Sequence, residues 1–189
     1  MSLPAAPFPT PDKGGKTFFR RGLLDRIKTL SACPTCRPTA REMAWIGLGS
    51  LLGIGAVSFL AFHYRLPLLV ASFGATAAII YGFPESPFAQ PRNVLGGHLI
   101  SALVGAAAYH FLGASWVAVT LGVSLAIVLM FYTRTVHPPG GATALTAILG
   151  GQGFDFVLRP VLAGLVILLS VALAVHRCRG KHCYPTYWF

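Results

Sequence analysis

The side chains best placed to do chemistry lie in one short stretch, RTVHPPGGATAL, Arg134–Leu145. Pro138 and Pro139 suit the start of a helix, where first-turn N–H groups have no partner within the helix. Gly140 and Gly141 let another backbone or a ligand approach closely, and Thr143 adds a hydroxyl. Arg134 and His137 stand just before that helix. A helix start presents free N–H donors and partial positive charge, which suits a small anion. Ser72, Gly74 and Thr76 form a parallel arrangement in an earlier short segment. For Gly74 and Gly141 the competing reading is close helix packing.

A second stretch, SPFAQPRNVLGGH, carries further polar candidates. Pro84, Pro87 and Pro91 keep residues 83–91 out of a helix. Arg92 and Asn93 then open a long helix. Arg92 has three uses open to it: pairing with Glu85, snorkelling to the interface, or attracting an anion. Arg159 has the same choice, with Asp155 nearby. His98, in the first turns of the helix beside Gly96 and Gly97, reads either as a polar contact between helices or as a proton carrier. His63 and His110, near helix ends, read as interfacial anchors. Cys33 and Cys36 form CPTC, and Cys178 and Cys183 follow the last apolar run with His176 and His182. If both tails met, four thiolates, or three and an imidazole, could bind zinc; reduced, unpaired thiols are the simpler expectation.

The elements that must position these groups are membrane helices. Of 189 residues, 54% are hydrophobic and 11% charged, far too little charge to cover a soluble surface. Eight of the fifteen basic residues precede the first long apolar run and three follow the last. That pattern fits the positive-inside rule better than nucleic-acid binding. Four runs reach membrane length: Ala44–Phe62, Val94–Leu112, Ser115–Thr133 and Pro160–Val175. Two shorter ones, Pro67–Gly82 and Pro138–Gly151, read as re-entrant or half-length helices. The expected architecture is all-α: a basic tail (1–43) containing a possible amphipathic helix, a membrane domain (44–176) and a short tail (177–189). Both tails are expected on the cytoplasmic side, in a bacterial-type plasma (inner) membrane, with an organellar address as the alternative. Four crossings or six satisfy this equally.

Sliding the sequence by 67 residues lays Gly74–Ala77 on Gly141–Ala144, both GATA, and Arg92–Gly97 on Arg159–Gly164. Each unit, 43–109 and 110–176, then reads as long helix, short GAT segment, loop ending in Arg, long helix. Matching interrupted segments in two repeats point to a transport site. The alternative is that the duplication only records how a helical bundle was built. Gly49 and Gly53 form a GxxxG, and Gly97, Ser101 and Gly105 repeat the spacing, favouring close contact within or between protomers.

SPFAQPRNVLGGHLISALVG together with HPPGGATAL resembles the HPP family, over about residues 40–176. The resemblance implies an integral membrane protein with four spanning helices, and nitrite transport as in plant and cyanobacterial members. It carries the family's His-Pro-Pro onto His137, Pro138 and Pro139. Some members add a CBS domain; with fourteen residues after Val175, none is expected here. The leading expectation is a channel or transporter for a small inorganic anion, acting without a cofactor and as a homo-oligomer. A membrane enzyme is disfavoured, because the spans lack paired carboxylates, a metal-ligand cluster or an activated nucleophile. A non-catalytic subunit or sensor acting through its tails is the remaining reading.

Overall fold

The computed structural model describes residues 38–65, 70–180 and 184–188. The basic N-terminal segment, with Cys33 and Cys36, and Cys183 with His182 therefore lie outside the described residues, and so does the zinc expectation that needs them. Among the described residues six α-helices follow one another: α1 Ala40–His63, α2 Ser72–Gly82, α3 Pro91–Leu112, α4 Trp116–Tyr132, α5 Pro139–Leu149 and α6 Ala163–Cys178. A 3₁₀ turn, Pro87–Ala89, precedes α3, and a π-helical stretch, Val157–Leu162, leads into α6.

Local chemistry sets the boundaries. Thr39 and Glu42 form a capping box that starts α1 four residues before its apolar run. Pro91 occupies the first turn of α3, and Gly113 at φ 63° ends it. Ser115 caps α4 by accepting from the Ala118 N–H. Arg134 turns the chain beyond α4 at φ 56°. Pro160 has no N–H and its ring crowds the preceding turn, which the wider π-helical winding accommodates. Arg159 therefore sits inside a helical stretch rather than ending a loop.

These boundaries correct the expected count of four long spans. Among the described residues three stretches are long and apolar enough to cross a membrane: Ala40–His63, Pro91–Leu112 and Val157–Cys178. The fourth, α4, has seventeen residues, because Ser115 and the turn at Arg134 close it at both ends. At ~1.5 Å per residue that is about 26 Å, just under a typical hydrocarbon core.

Each helix runs opposite to its predecessor, as named contacts show. Arg179 pairs with Glu42 at 3.2 Å, placing the end of α6 beside the start of α1. His176 bonds the Ile80 carbonyl, so α2 finishes at that same end. The Tyr184 hydroxyl donates to the Ala89 carbonyl and Arg92 reaches the Thr133 carbonyl, bringing in the start of α3 and the end of α4. At the far end, Gly151 lies against Tyr109, near the end of α3. The two short helices run in opposite directions: α5 parallel to α3, and α2 parallel to α6.

Packing inside is small and close; outside it is large and apolar. A Cβ on Gly49 would lie 2.6 Å from the Tyr81 ring, and one on Gly53 would strike its hydroxyl. The α1 GxxxG thus receives an aromatic ring within the same protomer, and that hydroxyl donates to the Leu168 carbonyl. A Cβ on Gly105 would lie 2.7 Å from the Ala144 carbonyl, so the α3 small-residue stripe packs on α5. Outward, Phe62, Phe111, Trp116, Val128, Phe131 and Leu158 are more than half exposed. Such a surface is matched by lipid chains rather than water.

Candidate functional site

Where α2, α3 and α5 meet, the bundle encloses five polar side chains: Ser72, Thr76, His98, His137 and Thr143, none more than 2% exposed. Ser72 and Thr76 are one turn apart and share a face of α2. His98 comes from the second turn of α3, Thr143 from α5, and His137 from the segment just before α5. Gly97 is what admits His137: a Cβ there would lie 2.7 Å from the His137 Cβ. Gly140 does the same service for α3, since its Cβ would lie 2.8 Å from the Gly97 carbonyl.

The five side chains form one hydrogen-bonded network. His98 Nδ1 lies 2.6 Å from Thr143 Oγ1, and His98 Nε2 lies 2.7 Å from Thr76 Oγ1. His137 Nε2 lies 3.1 Å from the same Thr76 oxygen. Ser72 Oγ and Thr143 Oγ1 are 2.7 Å apart. The His137 Nδ1–H donates to the Phe88 carbonyl at 2.7 Å. The imidazole centroids are 4.9 Å apart, and Phe73 meets His98 edge-on. Every member donates and accepts, so the network can bond an oxyanion, pass a proton, or simply lock three helices together.

The turn supplying the Phe88 carbonyl is itself held. Buried Gln90 donates to the Pro84 and Ser86 carbonyls at 2.9 and 3.0 Å, and accepts from the Thr186 N–H at 2.8 Å. Asn93, also buried, donates to the Pro87 carbonyl, while its own Oδ1 has no partner among the described residues.

The structure brings together His137, Thr143, Ser72, Thr76 and His98, with Pro139 and Gly140 buried beneath them. It does not bring in the remaining candidates. Gly74 is exposed, and a Cβ on Gly74 or Gly141 would meet nothing within 4 Å, so neither packs against a neighbouring helix. Pro138 and Arg134 are exposed, and Arg92 is half-buried with its guanidinium on the Thr133 carbonyl. Neither Arg92–Glu85 nor Arg159–Asp155 forms an ion pair; among the described residues that role falls to Glu42 and Arg179. The expected free N–H donors at the short-helix starts are also partly used. Phe73 N–H donates to the Val70 carbonyl, Gly140 N–H to His137 and Gly141 N–H to Pro138. Tight turns before each helix supply those acceptors, so side chains rather than helix ends carry this site. His176 is absorbed by its bond to Ile80, and Cys178 is an exposed free thiol.

Sequence reasoning missed the Phe88 carbonyl and the Gln90 clamp, because backbone acceptors and neutral amides leave no motif. The convergence on His98 did leave a signal: Thr76 and Thr143 hold the same position in the two GATA stretches.

The model of the HPP transmembrane region matches residues 35–185. The chain belongs to the HPP transmembrane family. Two transmembrane proteins of Dictyostelium discoideum are similar to it, one 42% identical over 166 residues, the other 40% over 167. The matches cover 80% and 81% of this chain but 58% and 53% of those proteins, so the chain spans little more than half their length. No solved structure matches. With its apolar helices, this HPP chain is an integral membrane protein.

Proposed function

We propose that this HPP domain carries a small inorganic anion across the membrane, with nitrite the first substrate to test. The anion is bound where Thr76, His98, His137 and Thr143 converge. One observation carries the reading: five buried polar side chains gathered inside a bundle whose outer surface is apolar. Polar and ionisable groups within a membrane protein are costly and usually functional. Hydroxyls and imidazoles can donate to an anion's oxygens and return to one another when it leaves. Nitrite itself rests on the family resemblance alone.

The domain reads as two inverted units crossing the membrane six times. In support, α2 and α5 have eleven residues each, with bounds 67 apart at both ends. The contacts correspond as well. Gly164 receives Phe73 as Gly97 receives Gly140, each partner 67 residues from its counterpart. Each short helix thus packs along the long helix of the other unit. Basic residues flanking the first and last spans favour cytoplasmic termini, and the large exposed apolar faces leave room for a homo-oligomer. Uptake by liposomes containing the purified protein, offered nitrite, nitrate, formate or chloride, tests the reading. Influx of at least one above empty liposomes is expected; none above that level ends it.

A further inference from the structure

Thr76 Oγ1 has more contacts than one hydroxyl can serve if both histidines are neutral. It lies 3.1 Å from the Ser72 carbonyl, 2.7 Å from His98 Nε2 and 3.1 Å from His137 Nε2. A carbonyl only accepts, so the bond to Ser72 uses the single Thr76 proton. Both imidazole nitrogens must then donate to the Thr76 oxygen. His137 Nδ1 already donates to the Phe88 carbonyl, so His137 holds a proton on each nitrogen. His98 needs no second proton. Its Nδ1 accepts from the Thr143 hydroxyl, and the Ser72 hydroxyl donates to the Thr143 oxygen. All six contacts are satisfied together by one proton beyond the neutral count, and its place is His137.

Without that proton the Thr76 hydroxyl must turn. Its hydrogen then goes to His137 Nε2, and the bond to the Ser72 carbonyl is given up. The two states differ by one N–H bond on His137, one hydroxyl rotation and nothing else. The only titratable groups in the cluster are His98 and His137. From α2 they are faced by Ser72, Phe73 and Thr76, and from α5 by Thr143. On the α4 side, Met130 meets Gly140 and Ser101. Arg92, on the helix of His98, is engaged with the Thr133 carbonyl. No carboxylate bonds either imidazole among the described residues, so an imidazolium here lacks a counter-charge, which is costly in a buried site.

We infer that one anion supplies that counter-charge: His137 takes up a proton together with the transported anion, and the two cross as a neutral pair. On the uptake side an O–H bond of hydronium breaks as the His137 N–H bond forms, and on the other side that N–H bond breaks as the proton rejoins water. By linkage, each partner raises the site's affinity for the other. This rests on the transport reading above, and its test separates the two.

Liposomes containing the protein and an internal pH dye are given nitrate or nitrite, with empty liposomes as the baseline. The expected result is internal acidification in step with anion influx, unchanged by a potassium-valinomycin potential. Thr76→Ser should keep the coupled flux, while Thr76→Val and His137→Gln should lose it about tenfold or more. Anion influx without acidification, and responsive to the potential, would overturn the inference while leaving transport standing. If no anion moves, the transport reading fails, and ¹⁵N spectra of the histidines in lipid nanodiscs decide the proton site. An imidazolium signal from His137 that grows on adding nitrate or nitrite supports it; a signal that stays neutral throughout overturns it.

Discussion

At the scale of single residues, four glycines of similar appearance separate into two kinds. Gly97 and Gly140 each face another backbone or the His137 side chain at less than 3 Å from an added Cβ, whereas Gly74 and Gly141 face open space. Gly97→Ala or Gly140→Ala should therefore destabilise the protein by about 1–3 kcal/mol through overpacking. Gly74→Ala and Gly141→Ala should be neutral or stabilise it by up to about 1 kcal/mol, since alanine is the better helix former. Thermal melts of the four variants in one detergent check this; a Gly141→Ala loss equal to that of Gly140→Ala would contradict it. The GATA pattern thus marked the right threonines, but not which glycines mattered. Composition cannot say which side of a helix faces a neighbour, and the hydropathy of a membrane helix does not alternate to reveal it.

At the scale of elements, the site depends on a turn held from a distance. Gln90 ties Pro84, Ser86 and Thr186 together, and Tyr184 fastens the C-terminal segment to Ala89, beside the carbonyl that orients His137. Gln90→Ala strands buried carbonyls and should cost about 1–3 kcal/mol. Tyr184→Phe should cost about 1 kcal/mol. Burial, and then Tyr81 nearby, push the Tyr184 phenol above its ordinary range. A raised folded value means the contribution is present below the unfolded value of about 10 and fades as pH rises beyond it. The wild-type to Tyr184→Phe difference should thus be flat between about pH 6 and 9, by denaturant titration at each pH. A difference that fell steadily across that range would contradict the assignment. The tie from this turn to the C-terminal segment was not legible in the sequence, because its partners lie 95 and 96 residues apart and share no pattern. Helix existence was legible from apolar runs. Helix ends were set instead by Thr39, Ser115, Gly113 and the π-helical stretch at Pro160, which run length does not report.

At the scale of the whole molecule, alternating helix directions bring Glu42 and Arg179 to one end of the bundle. Single cysteines introduced at Thr39 and Thr186, in a background lacking the native cysteines, should react with an impermeant maleimide from the same side of a sealed vesicle. Reaction from opposite sides would break the six-crossing topology. The cluster at Thr143 joins both short helices to α3. Removing the Thr143 hydroxyl leaves Ser72 and His98 without their partner, worth about 1–3 kcal/mol or roughly a tenfold effect. The most direct measurement is initial nitrite influx into liposomes holding equal amounts of folded wild-type, Thr143→Ser and Thr143→Val protein. Influx is expected well above that of empty liposomes for wild type, largely kept in Thr143→Ser and reduced about tenfold in Thr143→Val. Wild-type influx no higher than that of empty liposomes, or a Thr143→Val rate equal to wild type, would contradict it.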